Sequence, residues 1–154
     1  MSFTNTNFSS KQNFNGVNNN SSTFKTPPSK LPPIFHKAKS AYLLWYAYYQ
    51  ILPKTHRYTL GKKLDETFLA ILEAISVAAF LIPQEKAPYI KFAIKKMDLL
   101  KIFIMLLWET KSLDDKKYIE LSEKLDEIGR NLGGWLGKIV VKKENSPDET
   151  QGEK

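Results

Sequence analysis

Apolar residues recur along this chain at alternating steps of three and four, in four separate runs, and this spacing constrains the fold more than any other feature. The first run is Phe35, Ala38, Tyr42, Trp45, Tyr49 and Leu52, and the second is Leu64, Phe68, Ile71, Ile75, Ala78 and Ile82. The third is Ile90, Ala93, Met97, Leu100, Ile104 and Leu107, and the fourth is Tyr118, Leu121, Leu125, Ile128, Leu132, Trp135 and Ile139. Such steps keep every member of a run on one stripe of an α-helix, whereas a strand would send them to both faces. Pro53-Lys54-Thr55, Pro83-Gln84 and Lys111-Ser112-Leu113-Asp114 separate the runs. Ser112 or Asp114 is placed to cap the fourth helix, with Asp115 in its first turn. Short connections between helices of this length predict an all-α, antiparallel up-down-up-down four-helix bundle.

The 154 residues suffice for one domain of ordinary size. Residues 1–33 hold seven Asn, six Ser and four Pro, with Lys11, Lys25 and Lys30 as their only charges. Phe3, Phe8, Phe14 and Phe24 show no period there, so the segment has no face to bury and is expected to be a disordered tail. Its end, TPPSKLPP, favours extended geometry. Residues 142–154 read as a second, polar disordered tail. The folded body is therefore expected over 34–141. With no cysteine, a disulfide framework, a thiolate-bound zinc and a cysteine nucleophile are all excluded. His36 and His56 lie far apart, which argues against a metal site. The start MSFTNTNFSS lacks the basic and apolar regions of a secretory signal. The longest apolar runs, 68–82 and 99–108, fall short of the roughly 20 residues a bilayer requires. The expectation is a cytoplasmic protein with no membrane partner.

The helices carry more apolar surface than four stripes need. The first adds Leu43, Leu44, Tyr46, Tyr48 and Ile51, and the third adds Phe92, Leu99, Phe103 and Leu106. This surplus reads either as a broad core or, the favoured reading, as an interface between subunits. Gly129, Gly133 and Gly137 fall four apart on the fourth helix. They indicate either a close-passing backbone or fraying toward a C-terminal cap. Gly137-Lys138 is not a phosphate-binding loop, because Leu132 and Ile139 stand where Gly and Ser/Thr are required.

Groups for chemistry are sparse. The neighbours Asp65-Glu66 and Asp114-Asp115 point to different sides of a helix. Glu73 has no second acid at useful spacing, and His56 lies in a turn beside Arg57. No catalytic residue, cofactor or metal ligand is expected, and the chain does not read as an enzyme. Its charge says more. The formal net charge is +7, and the body carries 17 Lys+Arg against 12 Asp+Glu. From His36 to Lys63 there are six cations (Lys37, Lys39, Lys54, Arg57, Lys62 and Lys63) and no acid. Lys91 and Lys95 stand four apart on the third helix and repel unless an anion lies between them. Acids gather instead over 109–127. The asymmetry gives either an ordinary solvated face or, as favoured, a basic side that binds nucleic acid.

Two stretches carry a family resemblance. Pro53, Lys54, Arg57, Tyr58, Leu60, Gly61, Lys63 and Leu64 form one pattern, and Ile128-Gly129-Arg130 with Leu132-Gly133-Gly134-Trp135 forms a second. Over about 36–139 the chain resembles the four-helix-bundle family of the accessory variability determinant, which partners the reverse transcriptase of diversity-generating retroelements. That family has relatives encoded in intervening sequences of ribosomal RNA genes. The resemblance implies a ring-like homopentamer whose basic surfaces contact a reverse transcriptase and RNA or DNA. Such an accessory protein would support mutagenic copying of a template repeat. The residues favoured for the site are Arg57 and Arg130, with Lys54, Lys62 and Lys63 around them and, from the charge pattern, Lys91 and Lys95. The alternative is a standalone structural or ribosomal-RNA-associated bundle with no polymerase partner. The long tail before residue 34 departs from the family pattern.

Overall fold

The computed structural model describes residues 31–145. The described residues contain four long helices and no strand: α1 (Pro33–Gln50), α2 (Lys62–Phe80), α3 (Pro83–Glu109) and α4 (Asp115–Glu144). Between α1 and α2 run a short α-helical stretch, Lys54–His56, and a π-helical turn, Arg57–Gly61. α1 packs on α2 and α4, α2 on α3, and α3 on α4, so the chain forms a helical bundle about one core. The two expected tails lie almost wholly outside the described residues. At the C-terminal side, however, α4 continues through Lys142, Lys143 and Glu144. Lysines in a last turn complement the helix dipole, and the next helix breaker is Pro147.

All six members of the third run are buried, and the fourth run is buried apart from half-buried Tyr118 and Trp135. The buried stripe of α1 is rotated from the expected one. Ile34, Ala38, Ala41 and Trp45 are buried, whereas Phe35, Tyr42 and Tyr49 are half-buried. α1 faces two neighbours at once, and the small Ala38 and Ala41 allow the closest approach. Trp45 is fully enclosed, stacked on Phe68 at 6.3 Å between ring centroids and tilted against Tyr49 at 5.6 Å. Its indole N–H has no partner, which costs about 1–3 kcal/mol. Burial of the indole and its ring contacts offset that cost. Ile82 leaves the second run: α2 ends at Phe80, and Leu81 and Ile82 are extended. Pro83 opens α3 at its first position and disfavours helical geometry in the residue before it.

The α3–α4 turn is a closed unit. Lys111 N–H donates to Trp108 O and Ser112 N–H to Leu107 O, both at 2.9 Å, and Lys111 sits at φ 61°. These are the bonds of a Schellman motif with lysine at the left-handed position usually held by glycine. Leu113 is buried beneath the turn. Asp114 then caps α4, accepting from the Lys117 backbone N–H at 2.9 Å. Of the two expected caps, Asp114 makes the bond.

Candidate nucleic-acid interface

The stretch 52–64 places its residues in two roles. Arg57 is half-buried, and its Nη2 donates to the carbonyls of Gln50 at 2.9 Å and Leu52 at 2.8 Å. These carbonyls lie at and just beyond the C-terminus of α1, where no helical donor remains. Arg57 thus ties the end of α1 to the π-helical turn. His56 Nδ1 meets Ser112 Oγ, joining the same turn to the α3–α4 connection. Gly61 is buried, and a Cβ there would stand 3.0 Å from both His56 O and Tyr49 Cε2. Lys54, Lys62 and Lys63 point into solvent, with only Lys63 reaching an acid, Glu66, at 3.9 Å.

The other expected cations lie elsewhere. Lys91 and Lys95 are exposed on α3 and make no ion pair among the described residues. Arg130, exposed on α4, borders one hollow shared with Met97 and Lys101 of α3 and another shared with Ile34 and Lys37 of α1. The seven site candidates are therefore spread over the bundle and do not form one cluster. Trp135 and Lys138 line the same hollow as Arg130, and Lys124 lines the next one, which shares Lys37 with it; Lys124 and Lys138 are absent from the sequence-based candidates. The period of the fourth run places Trp135 on the core stripe, and nothing in it marks the residue as only half-buried. Lys124 and Lys138 lie six and eight residues from Arg130, about 120° and about 80° away around the helix, so no simple register marks the three as neighbours.

Among the described residues no other backbone passes close to the α4 glycines. A Cβ at Gly133, Gly134 or Gly137 would meet nothing within 4 Å, and one at Gly129 only ordinary contacts, the nearest at 3.5 Å. The crowded glycine is Gly61. The apolar surplus, by contrast, is visible. Leu43, Tyr46 and Ile51 of the α1 side and Phe92, Ile102, Met105 and Leu106 of α3 are exposed. Leu44, Tyr48 and Phe103 pack partly on the core. A hollow of about 390 Å³ opens between α2 and α3, with Glu73 as its one charged lining residue.

Electrostatics tie α1 to α4. Lys37 Nζ reaches Glu127 at 2.6 Å, and that lysine beside it holds the Glu127 carboxyl below its usual range. The Tyr48 hydroxyl donates to Glu120 at 2.6 Å. Burial, then this bond, push the Tyr48 phenol up to about 12. The bonds from Lys117 hold Asp114 below its ordinary value. Among the described residues no group of three His, Asp or Glu is placed to hold a metal ion, and no helix is long and apolar enough to cross a membrane. No protein-family model matches the chain, and no curated protein matches it.

Proposed function

We propose that this chain is a non-enzymatic accessory protein of a diversity-generating retroelement, which binds a reverse transcriptase and its template RNA or cDNA. The observation that carries the reading is a set of exposed cations that make no ion pair among the described residues, Lys54, Lys62, Lys91 and Lys95, with Arg130 exposed beside the charge of Glu127. Cations left unpaired on a folded surface favour a polyanion, and phosphate contacts position a nucleic acid without reading its sequence. In this reading the helices run up-down-up-down and antiparallel. The pairs Lys37–Glu127, Tyr48–Glu120 and Lys101–Asp126 support that order. The exposed apolar faces of α1 and α3 support assembly into a ring-like homopentamer in the cytoplasm, which would repeat the basic surface around the ring.

One observation favours the second reading, a structural or ribosomal-RNA-associated bundle without a polymerase. Arg57, the most prominent cation of the 52–64 stretch, is engaged in holding the end of α1. Co-expression separates the two readings. The accessory reading expects the full chain to co-purify with the reverse transcriptase encoded beside its gene and to be required for copying of a template repeat. A gene with no such neighbour, or copying that proceeds equally without the chain, overturns it in favour of the structural reading.

A further inference from the structure

The groove between the start of α1 and the last turns of α4 has a composition distinct from the rest of the surface. Its upper part, about 330 Å³, is lined by Arg130, Asn131, Trp135 and Lys138 of α4 and by Lys37 with the Pro32–Pro33 entry of α1. A second hollow of about 250 Å³ continues along the same two helices and is lined by Lys37, Lys124 and Glu127 among others. Lys37 borders both, so the two form one furrow along the α1–α4 seam. Glu127 is the only acid on its walls, and it pairs with Lys37. Arg130 and Lys124 also feel the Glu127 charge, so Lys37, Lys124, Arg130 and Lys138 together face this single carboxylate and the furrow keeps an excess of positive charge.

Trp135 distinguishes this furrow from a merely basic surface. It is half-buried, packed on the core on one side and forming part of the groove wall on the other. Lys86 of α3 sits over the indole ring at 5.5 Å from its centroid. The ammonium is held in place against the ring, and burial lowers its proton affinity from the ordinary lysine value. The wall therefore sets an aromatic side chain amid cations, with the Asn131 amide on the same wall as donor and acceptor. A row of cations tracking a backbone, with an aromatic side chain for a base to stack on, is the arrangement that holds single-stranded nucleic acid. A duplex keeps its bases stacked inside and offers nothing to the indole.

We infer that the α1–α4 furrow is a binding site for single-stranded nucleic acid, with a base stacked on Trp135 and phosphates on Lys124, Arg130 and Lys138. Residues 1–30 carry Lys11, Lys25 and Lys30 and no acid, so their sequence shares the sign of the groove and offers it no anion. The inference deepens the nucleic-acid part of the proposed function and rests on it.

The test measures affinity of the full chain for a labelled oligouridylate and for a duplex of equal length, at several salt concentrations. Stacking of about 1–3 kcal/mol per base predicts that Trp135→Ala weakens single-strand binding about 5- to 150-fold. Its salt slope should be unchanged, duplex binding should be unaffected, and Trp135→Phe should retain most of the affinity. Arg130→Gln with Lys138→Gln, both at exposed positions, should reduce the single-strand slope by about 1.4, at about 0.7 per phosphate. This pair decides the matter if Trp135→Ala fails to fold. Wild-type binding that survives both variants at full strength and slope overturns the furrow while leaving the nucleic-acid reading standing. Failure of the wild type to bind any nucleic acid overturns both. Displacement of the strand by polyglutamate as effectively as by RNA, with no dependence on Trp135, would make the furrow a site for acidic polypeptide and also overturn the inference.

Discussion

At the residue scale, two glycine positions separate space from conformation. Gly61 has helical φ, so its lack of a side chain matters only because His56 O, Tyr49 and Leu52 close around it. Gly61→Ala is expected to destabilise the fold by about 1–3 kcal/mol through overpacking. Gly133→Ala, in open space within a helix, should stabilise it by about 0.5–1 kcal/mol. Urea unfolding of both variants against the wild type checks the pair, and equal effects would refute the assignment. Lys111 presents the converse case. Its left-handed φ disfavours any residue with a Cβ, so Lys111→Gly should raise stability by about 1 kcal/mol despite losing the contact of Lys111 with the Trp108 ring. The sequence points to the glycines of α4 because three stand in register, and nothing in the local pattern marks Gly61 as the crowded one. That crowding comes from the His56 carbonyl of the turn itself together with Tyr49 and Leu52, which reach Gly61 only once the chain has folded back at the end of α1.

At the element scale, the helices were legible because periodicity is a local signal. Every residue of the third run is buried as expected, and the turn residues of 111–114 close α3 and cap α4. Rotation of the α1 stripe toward Ala41 was not legible, because it depends on two neighbours that approach α1 at once. The π-helical turn at Arg57–Gly61 was hidden for the same reason: its tie is Arg57 reaching back to carbonyls of the preceding element. The α1–α4 seam carries a pH dependence with a definite sign. The Tyr48 phenol ordinarily titrates near 10 and is pushed up to about 12 in the folded chain, first by burial and then by its bond to Glu120. A raised folded value means that the unfolded chain loses this proton first. The contribution is fully present below pH 10 and is lost as pH rises from there through about 12. Tyr48→Phe should therefore lose less stability than the wild type across that alkaline window. Thermal melts of the two at successive pH values check this, and parallel curves would contradict it.

At the scale of the whole molecule, the fold alone does not fix a function, since a helical bundle serves many. What narrows the choice is how the surface is divided. Apolar residues are exposed on α1 and α3, while cations in excess of acids occupy the entry to α2, the exposed side of α3 and the seam between α1 and α4. The sequence showed both features but not their layout. Net charge is a sum over residues, whereas the seam exists only because α1 and α4 pack side by side. The apolar faces predict self-association. Native mass spectrometry of the full chain should show one assembly well above the monomer mass of 17.7 kDa, and a clean monomer at micromolar concentration would contradict it. The account stands chiefly on binding of nucleic acid through phosphates, and the measurement that meets that claim most directly is the affinity for a fluorescent single-stranded RNA as salt is raised. The comparison is between the wild type and a variant with Lys54→Gln, Lys62→Gln and Lys63→Gln, which leaves Arg57 to hold α1. The account predicts a steep linear fall of log affinity with log salt for the wild type, and a slope shallower by up to about 2 in the variant, at about 0.7 for each lysine on a phosphate. Equal affinities and equal slopes would contradict it, and would leave the 52–64 stretch with a role in folding alone.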